Sequence, residues 1–124
     1  MANSSTDLHE APHSMSERVR DMHRALVSLQ EELEAVDWYQ QRADATREDS
    51  LRDVLLHNMR EEMEHACMVL EWLRRNSEDF DLQLRTYLFK SGSITEAEEE
   101  ATGEPQEPAT DRAPVSTIGS LKGV

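Results

Sequence analysis

Apolar residues at Val19, Met22, Leu26, Leu29, Leu33 and Val36 recur with alternating spacings of three and four, the signature of a helix that packs along another helix. Ser14 and Glu17 stand three residues apart just ahead of this seam, and that capping-box pattern predicts the helix start there. Between residues 44 and 50 the rhythm breaks at Thr46, Asp49 and Ser50, side chains that favour turns and caps over helix interiors. A second periodic stretch runs from about 50 to 75. Arg74 and Arg75 at its end suit the negative pole of a helix. Two long helices joined by so short a break fold back antiparallel. Asn76 and Ser77 close the second helix, and Ser77 is placed to cap a short third one through Leu82, Leu84, Tyr87, Leu88 and Phe89. The fold class is therefore all-α: an antiparallel two-helix hairpin plus a short third helix.

The flanks read differently. Residues 1–13 are polar and carry no periodicity, so they are expected to be disordered, and 14–95 form the helical domain. From 96 to 115 glutamates alternate with Pro105, Pro108 and Pro114, with almost no large apolar side chain, which is the composition of a linker. The last stretch, 116–124, regains apolar residues at Ile118 and Leu121 among small ones. It is either a plain terminus or a short docking peptide on a tether.

Charge changes the picture next. The chain of 124 residues holds 26 acidic and 13 basic side chains, a net charge of −13. That balance argues against nucleic acid and anionic membranes as partners and suits the handling of cations. No run approaches the roughly 18 apolar residues of a membrane span, and the first residues lack the apolar run of a secretory signal, so a cytoplasmic location is expected. The single Cys67 rules out an intrachain disulfide framework and falls on the polar side of its helix.

The informative departure lies on the second helix. Taking 100° per residue from Glu62, Leu51, Leu55, Val69 and Leu73 lie within about 20°, and Asn58, Met59, His65 and Ala66 within about 60°. Glu62 and His65, three residues apart, thus share the apolar face, where a carboxylate costs several kcal/mol unless paired or bound to a metal. Glu32 sits at the edge of the first helix's stripe and can turn toward them. A lone Glu and a Glu-x-x-His make half of a carboxylate di-metal centre, and this chain carries one such half. Two chains per centre are required. A buried Glu62–His65 pair, or a bridge to a partner-chain arginine, would satisfy the same spacing without any metal.

Tyr39, one heptad after Glu32, is positioned either as a seam aromatic or as a hydroxyl that supports a ligating carboxylate. Glu31, Glu34 and Trp38 gather on a different face, as a weak cation site or a solvated one. His57 pairs with Glu61 on the surface. Carboxylate and imidazole ligands without thiolates suit iron, manganese or zinc. A thiolate iron site of the rubrerythrin kind cannot be built from one cysteine.

Several ordered segments together resemble the encapsulated ferritins: Glu31-Glu-Leu-Glu-Ala-Val-Asp-Trp-Tyr39, His57-Asn, Glu61-Glu62-x-Glu64-His65-Ala66, Leu70-Glu-Trp-Leu-Arg-Arg-Asn76 and Arg85-Thr-Tyr-Leu-Phe89. The terminal Ile118-Gly-Ser-Leu-Lys-Gly123 resembles the peptide that loads cargo into encapsulin shells. The resemblance implies a protomer that dimerises into a ferritin-like four-helix bundle, with dimers closing into a ring. It implies that Glu32, Glu62 and His65 from each of two chains hold a ferroxidase centre of two irons. Trp38 and Tyr39 would flank it, and Glu31 and Glu34 would form an outer site on the path of incoming ions. The expected activity is oxidation of Fe(II) by oxygen inside an encapsulin compartment, with Ile118 and Leu121 docking on the shell protein. The competing expectations are a non-enzymatic acidic helical dimerisation module and another di-metal oxidoreductase.

Overall fold

Three residues, Thr46 to Glu48, separate the two long helices in the computed structural model, which describes residues 7–98. Helix α1 spans Glu17–Ala45, α2 spans Asp49–Asn76 and α3 spans Glu78–Tyr87. No strand occurs among the described residues, so the all-helical class holds. The chain divides into two compact units, residues 1–81 and 82–124. The antiparallel α1/α2 hairpin lies in the first; of the linker expected at 96–115, residues 99–115 lie outside the described residues, as does the whole terminal peptide expected at 116–124.

The helix starts differ from the sequence expectation for local reasons. Ser16, not Ser14, caps α1 by accepting a hydrogen bond from the Val19 amide at 3.1 Å. Ser14 is engaged elsewhere. Its hydroxyl donates to the Ala11 carbonyl at 2.7 Å within a 3₁₀ turn at Pro12–Ser14, where the sequence predicts no element. Glu17 is held by Arg20 at 2.7 Å rather than reaching back to an amide, so no capping box closes.

Glu48 caps α2, a role expected of Thr46, Asp49 or Ser50. Its carboxylate accepts from the Ser50 hydroxyl at 2.6 Å and the Leu51 amide at 2.9 Å, and these bonds hold its pKa below the usual range. Arg52 then reaches across the turn. It donates to the Ala43 carbonyl at 3.1 Å and to the Thr46 carbonyl, and it pairs with Asp49 at 2.9 Å. One guanidinium thereby satisfies carbonyls that the end of α1 leaves open. At the far end Arg18 of α1 donates to the Asn76 carbonyl of α2 at 3.1 Å. The hairpin is pinned at both ends.

Ser77 caps α3 as expected, accepting from the Phe80 amide at 3.2 Å. The helix stops at Tyr87 rather than continuing through Phe89, because Phe89 takes a left-handed conformation with φ of 60° and stands fully in solvent. Arg74 bonds Glu71 through two nitrogens, at 2.9 and 2.8 Å, and Asp81 at 2.6 Å; Arg75 adds a bond to Glu71 at 2.7 Å. Bonding from Arg74 first, and also from Arg75, lowers the Glu71 pKa to about 2. A carboxyl whose folded pKa lies below its unfolded 4.5 contributes stability above pH 4.5 and loses it as pH falls toward about 2. Glu71→Gln is expected to melt below wild type at neutral pH, with the gap closing across that window in circular dichroism melts. A gap that stays constant with pH sinks the assignment.

Only Ala43, Ala66 and Leu73 are buried among the apolar residues described. Two helices have no second layer against which to close a core. The expected seam is therefore half open: Val19 is 45% and Leu33 53% exposed, whereas Met22, Leu26, Leu29 and Val36 are half-buried. The apolar stripe of α1 is wider than α2 can cover. By helical angle the exposed apolar residues fall on both sides of the Glu32/Glu62 line, with Leu33 and Met63 about 100° one way and Trp38, Val54 and Trp72 roughly 80° to 120° the other.

Candidate metal centre

Glu32 from the middle of α1 meets Glu62 and His65 from the middle of α2, because antiparallel packing puts these levels side by side. One ligand atom from each of the three lies within 4.8 Å of the others. The His65 Nδ1 is 3.3 Å from Glu62 Oε1 and 3.5 Å from Glu32 Oε1. Glu32 and Glu62 are three-quarters covered, with side-chain exposures of 25% and 24%, while His65 at 41% forms the open side of the cluster.

Two carboxyls and an imidazole this close cannot all keep their ordinary protonation. Hydrogen bonding with Glu62, then desolvation and the Glu62 charge, raise the Glu32 pKa. Hydrogen bonding from Glu32, with help from His65, lowers that of Glu62. The Glu62 carboxylate, followed by the charge of Glu32, raises that of His65. Glu32 and His65 therefore hold their protons to higher pH than free groups would, and a cation seated among these atoms competes with those protons. No second group of three such ligands occurs among the described residues.

The remaining candidates sit apart from this cluster. Glu31 and Glu34 are exposed on α1 and gather no third ligand within a protomer. Trp38 is half exposed. Tyr39 is half-buried and carries the Arg42 guanidinium over its ring, 5.6 Å from the centroid; no hydrogen bond joins its hydroxyl to Glu32 or Glu62. His57 faces Glu61 at 3.8 Å on the surface, and Cys67 is exposed. A cleft of about 790 Å³ at the corner between α2 and α3, lined in part by Arg18, Arg74, Ser77 and Asp81, is not foreshadowed in the sequence. The pairs of Arg74 and Arg18 described above occupy it.

Against known proteins, the sequence profile of the EncFtn-like family matches residues 7–91, most of the chain. The chain belongs to the EncFtn-like family. This EncFtn-like chain joins a helical fold to a carboxylate–histidine donor set. It is 48% identical over 130 aligned positions to an encapsulated ferritin-like protein of Rhodospirillum rubrum, covering 99% of this chain and 93% of the relative. It is 54% identical over 95 positions to a ferritin-like protein of Thermotoga maritima, covering 77% and 83%. A crystal structure of a Nitrosomonas europaea protein superposes with a TM-score of 0.69 at 49% identity, covering 70% of this chain and 97% of that one. Membership in this family carries a ferritin-like, iron-related role. No helix among the described residues is long and apolar enough to cross a membrane.

Proposed function

We propose that this chain is a ferroxidase whose centre forms between two copies, each giving Glu32, Glu62 and His65 to a pair of iron ions. The observation that carries the reading is the convergence of those three side chains within 4.8 Å on an otherwise apolar face. A single set offers two carboxylates and one imidazole, too few to satisfy two cations. Two sets facing each other give four carboxylates and two imidazoles, the complement of a carboxylate di-iron site.

The reaction takes one electron from each of two Fe(II) ions and delivers both, with two protons, to dioxygen, giving two Fe(III) and hydrogen peroxide. Glu32 and Glu62 supply the negative charge that favours the higher oxidation state. The substrate ions compete at His65 and Glu32 with the protons whose binding the cluster strengthens, so uptake is pH-dependent. Tyr39 and Trp38 flank the site, and Glu31 and Glu34 draw cations toward it. The resemblance of Ile118 and Leu121 to a cargo-loading peptide, and the encapsulated character of the R. rubrum relative, support residence in an encapsulin shell where the oxidised mineral accumulates.

Metal content and mass of the purified protein test the reading together. Iron-loaded protein is expected to contain two metals per two chains in an even-numbered, ring-sized oligomer. A strong chelator is expected to shift it toward monomer, because apposed carboxylates repel without a cation between them. Full assembly in chelator, or one metal per chain on a monomer, defeats the shared centre.

A further inference from the structure

The face that carries Glu32, Glu62 and His65 does not end with them. Toward the start of α1 it continues as a shallow, mainly apolar groove of about 390 Å³ between the helices, lined by Ala25, Ser28, Met68, Val69 and Trp72 and edged by the paired Asp21 and Arg24. Met68, Val69 and Trp72 follow Glu62 by six, seven and ten residues, and Ala25 and Ser28 precede Glu32 by seven and four. At 1.5 Å per residue the groove is centred roughly 10 Å from the metal-ligand cluster.

In the opposite direction along the hairpin, on the flank roughly 80° to 120° from the Glu32/Glu62 line that also carries Met68 and Trp72, apolar side chains stand exposed instead of framing a groove. Trp38, six residues after Glu32, is 50% exposed, and Val54, eight before Glu62, is 56% exposed. They also lie roughly 9 to 12 Å from the cluster, on its other side. Depression and projections are thus matched in distance and opposite in direction about the ligands. A two-fold axis that passes through a shared metal site and crosses the helices turns one direction into the other, whereas an axis along the helices does not; across such a crossing axis the projections of each copy lie over the depression of its mate.

We propose that this groove is the seat of the partner subunit's Val54 and the partner subunit's Trp38, and that this double contact sets the register in which two half-centres meet. The inference rests on the shared-centre reading and goes beyond it by assigning the contact. A second copy is the occupant because the groove is continuous with the half-site that already requires one. The apolar surface is also that of a protomer burying only three apolar residues among those described. The contact is isologous and occurs twice per dimer. Apolar packing therefore fixes the alignment of the two halves as the ions draw them together.

Cross-linking tests the register. In a Cys67→Ser background, Val54→Cys and Met68→Cys chains are prepared separately, mixed in chelator, and loaded with Fe(II) under argon before a short bismaleimide is added. The mixture is expected to yield a covalent dimer, whereas each variant alone yields little, since residues on opposite sides of a two-fold axis do not meet their own copies. Self-linking of Val54→Cys alone places that residue on the axis and overturns the register. So does a dimer of the right mass and metal content that fails to cross-link in the mixture. A charge pair gives a second readout: Val54→Lys and Met68→Glu are each expected to weaken the metal-loaded dimer at least tenfold, and the double variant to recover most of that loss. Losses that simply add argue against contact. If iron loading leaves wild type monomeric, the shared centre itself fails, which separates that outcome from a wrong register.

Discussion

Glu62→Ala is expected to slow aerobic Fe(II) oxidation by roughly 100-fold or more, since even outer partners of metal ligands cost 10- to 100-fold. The rise in absorbance of ferric product after mixing Fe(II) with protein in air measures it. Glu62 stands among Leu55, Val69 and Leu73 by helical angle, so its loss removes a charge from an apolar stripe. Without iron the variant should melt close to wild type, because losing the part-buried carboxylate removes its desolvation cost along with its bonds to Glu32 and His65. Lost activity with kept stability is the diagnostic pair. A variant that oxidises iron at the wild-type rate removes Glu62 from the chemistry and leaves the acidic dimerisation module as the better reading.

The largest stability effect is expected at Leu73, the one large side chain fully buried among the described residues. Leu73→Ala should cost about 3 kcal/mol, within the roughly 2 to 5 kcal/mol observed when buried leucines are truncated. For a domain of this size that is a fall of about 12 to 24 °C in the melting midpoint. Measured in chelator, the melt reports the protomer without assembly. Leu33→Ala, at a side chain already half in solvent, is the contrast and should move that melt little. Equal losses at both positions would mean that the free protomer packs differently.

The seam from Val19 to Val36, the break near Thr46 and the place of Glu62 and His65 on an apolar face were all legible in the sequence, because each depends on helical period alone. Glu32 was legible for the same reason, as an acid at the edge of a stripe. The caps were not. Ser14 and Glu17 have the spacing of a box, but Ala11 and Arg20 compete for them and win. Glu48 caps α2 although glutamate is not a favoured capping residue, since the Ser50 hydroxyl and Leu51 amide both fall within reach of its longer side chain. Arg52 and Arg18 act across the hairpin, and no local pattern marks which arginine finds a carbonyl in a distant turn. Leu33 and Val19 carry the apolar pattern yet stay exposed, because period says that a face wants cover but not that one neighbour is too narrow to provide it. Met68 and Trp72 were missed as groove residues on the same account.

The three-residue link between α1 and α2 has a consequence for the order of events in synthesis. Closing so small a loop costs little entropy, and contacts between neighbouring levels of the hairpin zip outward from the Arg52 clamp. The hairpin can close as soon as residue 76 has cleared the ribosome. Each newborn chain therefore arrives as a finished half, and the slow step left to it is a chance encounter with another molecule of its own kind.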